Sequence, residues 1–410
     1  MHAVSSKRKW KKILLSVVAV VVVLVVAALA AVFAVWRNEI GAVTSIQMLR
    51  DRNDAHLDGA VYTMQVKGGF YLDEFVEQGG VSSDSELIQF ITDRITKGVI
   101  KMDMSAPEIG CSSFTAATQD GDVLFARNYD FSKTNTMLVF TEANEGRHAS
   151  ISTVDLQFLG IDVDQNLTSM MDKITCLAAP YAPLDGVNDA GVSCGIYMTY
   201  QGGDETIPTD QNTDKPDFTS TTLLRLILDY ADNVEEAVEI ASSYDLHDSA
   251  ETSYHYMVAD ASGRSAILEW TADDAVDTTD NDGSQRTLKV IYNDQDASIG
   301  QREADSSYQV VTNFVLQPGY YDGVPAENKK GADRYDRLYQ ELQAVSGVVP
   351  DEQAAMDILQ IVGRRSWDND DKNGCTVHSA VYNLTDRSVL WVTNENYDDP
   401  AAVFTFSLKD

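Results

Sequence analysis

The sequence predicts an α+β fold in which antiparallel sheets are covered by helices, behind one N-terminal apolar helix. Three observations carry this. Strand-like pairs flank turn signals at Asp120-Gly121, at Asn188 to Gly191, at Ala261 to Gly263 and at Thr385 to Arg387. Helical apolar spacing fills Thr221 to Ser242, Arg334 to Ala344 and Asp351 to Val362 in segregated blocks, not in βαβ alternation. Ile13 to Trp36 is an uninterrupted uncharged apolar run.

That run comes first in the chain, after Lys7, Arg8, Lys9, Lys11 and Lys12. Its 24 residues make about 36 Å of helix, enough to cross a hydrocarbon core of about 30 Å. It exceeds the usual apolar core of a cleaved signal peptide, although Ala28, Ala30 and Ala31 offer small residues to a signal peptidase. The expectation is an uncleaved single-pass anchor in the cell membrane. Residues 1–12 then form a cytoplasmic tail, residues 13–36 the span, and everything from Arg37 lies outside.

No acidic residue precedes Arg37 and five basic ones do, so the remaining 26 of the 31 Lys and Arg face 63 Asp and Glu, about −37. Such an exterior repels phosphate backbones, which argues against nucleic-acid binding. Six scattered histidines without ligand spacing argue against a metal, and no residue pattern calls for a cofactor. The 374 residues after the anchor contain no linker, low-complexity tract or repeat that would divide them. One composite domain, residues 111–410, is expected behind a leader of residues 37–110. In that leader Ser85 to Ile100 reads as a helix, with apolar residues at Leu87, Phe90, Ile91, Ile95 and Ile100 and caps at Ser83 and Asp84.

The next element, GCSSFTAATQDGDVLFARNYDF (Gly110 to Phe131), carries the chemistry. If Asp120-Gly121 is a two-residue turn, Cys111 lies opposite Asp130 and shares a face with it. A carboxylate there could hold a free amine on Cys111. Arg127 then falls opposite Phe114 on the other face and needs a bulge to reach the sulfur, where its charge would favour thiolate. A buried structural cysteine and a surface ion pair of Arg127 with Asp122 or Asp130 are the plain alternatives.

Cys111 in C-S-S, with Arg127 and Asp130 in A-R-N-Y-D, resembles the N-terminal hairpin of the choloylglycine hydrolase family. That family comprises bile salt hydrolases and penicillin V acylases, with acid ceramidase and N-acylethanolamine acid amidase as relatives. The resemblance continues through DGVNDAGVSCGIY (Asp185 to Tyr197), YHYMVADASGRSAILEW (Tyr254 to Trp270), VVTNF (Val310 to Phe314) and GADRYDRL (Gly331 to Leu338). It ends in the paired strands Thr376 to Thr393.

The resemblance implies an N-terminal-nucleophile hydrolase of linear amides with an αββα four-layer sandwich, working on an N-acyl amide without a cofactor. It makes Cys111 the nucleophile and its own α-amine the general base. Arg127 and Asp130 assist, Asn313 donates to the oxyanion and Arg334 is a second arginine of the site. Met198 stands where bile salt hydrolases and penicillin acylases carry asparagine, so it can offer only its backbone N–H to the oxyanion, and side-chain contacts to substrate differ. The amine exists only once the Gly110–Cys111 bond is cut, a step that the long-leader relatives perform autocatalytically. A glycine at 110 leaves the carbonyl open to the sulfur. Such an amine titrates near 8, a base suited to neutral pH.

Phe131, Tyr197, Tyr200 and Met198 are candidates for a wall around the acyl group, though aromatics at strand spacing also read as core. Cys176, Cys194 and Cys375 read either as a disulfide pair with one left over or as buried thiols. His255, His378 and Asn188 read as structural, and the sequons at Asn166 and Asn383 weigh little because Asn383 lies within a strand pattern. Two other readings compete: a papain-like thiol peptidase pairing Cys111 with His255 or His378, and a catalytically silent surface-binding ectodomain.

Overall fold

The computed structural model describes residues 2–95, 110–201, 206–272, 283–294, 307–321, 329–367 and 374–409. Helix His2–Val35 leads, and the break at Trp36 separates it from the short helix Arg37–Ser45. From Trp10 to Val35 it is long and apolar enough to cross a membrane, or to serve as a signal sequence, and none of that stretch is buried against protein.

Two large sheets follow. The nine-stranded sheet runs Gln47–Arg50, Val61–Val66, Thr136–Thr141, Ser150–Asp155, Asp185–Asn188, Ser193–Met198, Tyr254–Ala259, Ser265–Thr271 and Thr287–Tyr292. The seven-stranded sheet runs Val310–Val311, Gly110–Thr118, Val123–Ser132, Gly374–Asn383, Ser388–Thr393 and Val403–Ser407, with Val348–Val349 also on the Gly110–Thr118 strand. Gly110–Thr118 faces Ser193–Met198 across the gap between the sheets. Helices Ser220–Tyr230 and Val234–Ser242 cover the outside of the first sheet, and Ala332–Ala344, Glu352–Ile361 and Arg364–Trp367 the outside of the second. This is the expected αββα sandwich. Because both faces of the central strands are covered, a strand such as Val123–Ser132 is buried along nearly its whole length.

All four turn signals join paired strands as expected. The run Thr221 to Ser242 is two helices, not one. Ala231 turns extended, and Asn233 caps the second helix by accepting from the Glu236 N–H at 2.9 Å. The leader helix spans Asp84–Arg94, capped by Ser83; the Thr96 to Ile100 part of the expected helix lies outside the described residues.

Leader residues are built into the sandwich. Val61–Val66 pairs in parallel with Thr136–Thr141, inside the nine-stranded sheet. Gly59 approaches the Thr134 carbonyl so closely that a Cβ there would lie 1.6 Å from its oxygen. The Ala60 N–H donates to Asn135 Oδ1 at 2.9 Å, and buried Asp58 accepts from Asn396 Nδ2 at 3.0 Å.

His247 lies 2.7 Å from Asp210 and 3.0 Å from Asp217. Burial works against its protonation, but hydrogen bonds to the two carboxylates outweigh it and raise the pKa above the ordinary 6.5. The stabilisation is therefore complete below the ordinary value and is lost as pH rises through the raised one. Denaturant titrations of wild type and His247→Gln should differ most on the acid side and converge in alkaline buffer; a pH-independent difference would contradict this.

Candidate active site

The hairpin loop has three residues, Gln119 to Gly121, closed by Thr118 N–H to Asp122 O at 2.8 Å and Gly121 N–H to Thr118 O at 3.0 Å. Gly121 takes φ +94°, the left-handed position that such a loop requires. The pairing is consequently shifted by one residue from the expected register. Gly110 lies opposite Asp130 and Cys111 opposite Tyr129, which corrects the Cys111–Asp130 pairing. Arg127 falls opposite Ser113, on the same face as Cys111, and needs no bulge. A Cβ at Gly110 would come within 3.1 Å of Asp130 Cβ, so glycine is what allows the carboxylate so near.

Each reactive atom of Cys111 has a buried partner. Arg127 Nη2 donates toward Sγ at 3.6 Å. The backbone N–H donates to Asn313 Oδ1 at 3.0 Å. The carbonyl accepts from Arg334 Nη1 at 2.6 Å. Arg334 Nη2 also donates to Asn313 Oδ1 at 2.7 Å, and Asn313 Nδ2 donates to the Met198 carbonyl at 2.8 Å, which fixes how the amide is turned. The expected donor thus presents its acceptor to Cys111, and its NH2 sits on the strand end at Met198. Asp130 lies 3.4 Å from Arg334 Nη1 and accepts from Thr376 Oγ1 at 2.6 Å.

Cys111 is wholly enclosed. Burial pushes its pKa up to about 11 from the ordinary 9.0, with Arg127 pulling the other way. A thiol so placed is almost entirely protonated at neutral pH.

The wall candidates divide. Tyr197 lies against the Arg127 guanidinium, 4.5 Å from ring centre to Cζ, and donates to Ser113 Oγ at 2.6 Å. Tyr200 donates its N–H to the Asn313 carbonyl at 2.9 Å, and its hydroxyl lies 3.4 Å from Met198 Sδ. Phe131 instead packs in the core, between Tyr129 at 5.8 Å and Phe158 at 6.1 Å. A cavity of about 350 Å³ lies apart from Cys111, where Val35, Arg37, Val66 and Tyr71 meet beside the N-terminal helix.

His255 bonds Glu269 and the Thr312 carbonyl, both at 2.8 Å, and His378 bonds Asp185 at 2.8 Å, so the structural reading of both histidines holds and neither supports a Cys–His peptidase. Cys176, Cys194 and Cys375 are buried free thiols, and no metal-binding cluster occurs among the described residues. Sequence reasoning missed Thr376, for which no signal existed, and Asp185 and Gly195, which both lay in the Asp185 to Tyr197 motif.

Residues 111–286 match the model of the linear amide C–N hydrolases of the choloylglycine hydrolase family. The resemblance read from the motifs is therefore recovered, and it marks the chain as a hydrolase acting on linear amide C–N bonds. No curated protein matches. Three solved structures are similar at 15% identity, each over 73% of this chain. They are a variant conjugated bile acid hydrolase from Clostridium perfringens (93% of that chain, TM-score 0.48), penicillin V acylase from Agrobacterium tumefaciens (87%, 0.44) and the Caenorhabditis elegans ortholog of N-acylethanolamine-hydrolyzing acid amidase (100%, 0.39).

Gly195 makes room for this site: a Cβ there would lie 2.5 Å from Arg127 Nη1 and 2.8 Å from the Tyr197 hydroxyl. Gly195→Ala is expected to lower unfolding stability by about 1–3 kcal/mol, read as a shifted denaturation midpoint. A midpoint equal to wild type would contradict this packing.

Proposed function

We propose that this chain is a membrane-anchored amidase that cuts its own Gly110–Cys111 bond and then hydrolyses an N-acyl amide with Cys111 as an N-terminal nucleophile. The observation that supports this most is the convergence of Arg127, Asn313 and Arg334 on the sulfur, nitrogen and carbonyl oxygen of one residue. A structural cysteine needs no such set.

The cut begins with the Cys111 sulfur adding to the Gly110 carbonyl. The C–N bond breaks, the Cys111 nitrogen takes a proton and a thioester forms; water then hydrolyses it, releasing a Gly110 carboxylate and a free thiol. Asn313 Oδ1, already on the nitrogen, can accept from the new amine and aim it at the sulfur. In turnover the amine takes the thiol proton, the thiolate attacks the substrate carbonyl, and the C–N bond breaks as the proton passes to the leaving amine. Water, giving a proton to the α-amine, then hydrolyses the resulting thioester to the free acid and the thiol. Arg127 stabilises the thiolate, and Arg334 holds the Cys111 carbonyl while pairing with Asp130. Met198 N–H and the Asn313 NH2, once it leaves the Met198 carbonyl, are the oxyanion donors. Tyr197 and Tyr200 stand beside them as substrate-wall residues. The helix Trp10–Val35 would tether the enzyme, with the catalytic domain outside the cell.

N-terminal sequencing of purified full-length protein should find a fragment beginning at Cys111. Cys111→Ala should stay a single chain and lose hydrolysis across a panel of N-acyl amides varied in acyl chain and amine head. Full activity from a chain with no Cys111 terminus would refute the mechanism.

Because Val61–Val66 is an inner strand of the nine-stranded sheet, the two fragments should stay together after the cut. They should co-elute in detergent at neutral pH and separate only under denaturing conditions; leader lost under native conditions would be the contrary result.

A further inference from the structure

Arg127 reaches the sulfur with one nitrogen, and what holds the rest of its head is a cluster from both sheets. Its Nε lies 2.9 Å from Asp185 Oδ2, in a bent N–H···O geometry, and its Nη1 has no hydrogen-bond partner among the described residues. The attraction at Nε is thus chiefly charge to charge. Asp185 crosses the gap from the nine-stranded sheet, whereas Arg127, His378 and Tyr382 belong to the seven-stranded one. Both carboxylate oxygens are engaged: Oδ2 by His378 Nε2 at 2.8 Å and Oδ1 by the Tyr382 hydroxyl at 2.5 Å. His378 is in turn stacked on Trp391 at 5.5 Å and lies 5.3 Å from Tyr129. All four side chains are fully buried.

We propose that Asp185, steadied by His378 and Tyr382, is the positioning residue that holds the Arg127 guanidinium against the Cys111 sulfur, an inference that rests on Cys111 being the nucleophile. Without such an anchor a strand-borne arginine has rotamers to spare, and a guanidinium swung away no longer favours thiolate. Asp185 remains ionised: burial raises its pKa, but the charge and hydrogen bond of His378, with Arg127 and Tyr382, bring it down to about 2.

Its negative charge has a second effect of opposite sign, since it offsets part of the Arg127 charge felt by the sulfur. Two substitutions separate anchoring from charge. Asp185→Asn keeps the size of the side chain and the partial negative charge of its amide oxygen beside Arg127 Nε, and can turn its NH2 to the Tyr382 oxygen, so the guanidinium keeps its seat while the full offsetting charge disappears. Asp185→Leu removes both.

The experiment follows iodoacetamide alkylation of Cys111 against pH in full-length, processed protein in detergent, with N-terminal sequencing of every sample. Asp185→Asn should have a midpoint at or below that of wild type. Asp185→Leu should titrate about one pH unit higher, with roughly tenfold slower alkylation at neutral pH. A merely structural role would lower the melting temperature of both without moving the midpoints apart. If Asp185→Leu does not fold, His378→Phe, which retains a ring on Trp391 but no donor to Asp185, should raise the midpoint, and His378→Gln, which retains a donor, should restore it. A wild-type midpoint in folded Asp185→Leu, or in His378→Phe in its place, overturns the inference. Absence of a Cys111 terminus in the wild type, read by the sequencing alone, would instead remove the nucleophile reading beneath it.

Discussion

The register between Gly110–Thr118 and Val123–Ser132 constrains everything else at this site. Side chains alternate across a strand, so one residue more or less in the connecting loop moves every facing pair to the other side of the sheet. With three residues in the loop, Cys111, Ser113, Arg127 and Tyr129 all project into the gap between the sheets, while Asp130 projects toward the helix layer that carries Arg334. The two arginines therefore reach Cys111 from opposite faces of one sheet, one at its sulfur and one at its carbonyl. The partner strand accommodates this with an irregularity between Thr376 and His378, so that Thr376 meets Asp130 and His378 meets Tyr129.

Charges placed this deep are tolerable only in compensated sets. Removing one partner of a buried pair such as Arg127–Asp185 costs about 3–5 kcal/mol, because the survivor is left unpaired in a low-dielectric interior. At the sulfur, burial outweighs Arg127, Arg334 and the Asp130 backbone, which favour a negative charge, and the Asp130 carboxylate opposes them. The displacement of the thiol pKa from 9.0 to about 11 corresponds to about 3 kcal/mol against thiolate. With Gly110 attached, thiolate is accordingly disfavoured, and a new amine beside the sulfur is the change in local chemistry that cleavage would introduce.

The leader complicates any picture of a domain with a disposable preface. Its strand Val61–Val66 lies between Gln47–Arg50 and Thr136–Thr141, and its glycines at 59 and 80 allow backbone-to-backbone approaches that no Cβ would permit. Tyr181 reaches back to donate to the Phe70 carbonyl at 2.8 Å, and the Phe70 ring lies below the Arg147 and Arg225 guanidiniums, 5.3 and 5.6 Å away. The segment that follows the apolar helix is thereby coupled to the sandwich by packing as well as by the chain.

Local signals determined a good deal. Turn residues located all four hairpins, apolar periodicity located the covering helices and the leader helix, and motif order brought out Cys111, Arg127, Asp130, Asn313 and Arg334, which the fold gathers around one residue. What local signals misjudged had local causes too small to read: one extra loop residue displaced Asp130 by a position, and Asn233 divided an apparently continuous helix. Phe131 could not be told from a wall residue, because strand periodicity gives the face and not what lies against it. The roles of Asp185, Gly195, Thr376 and His378 at the site depended on which strands of two different sheets come to face each other. That is settled by long-range packing of the two layers, and no spacing within the chain records it.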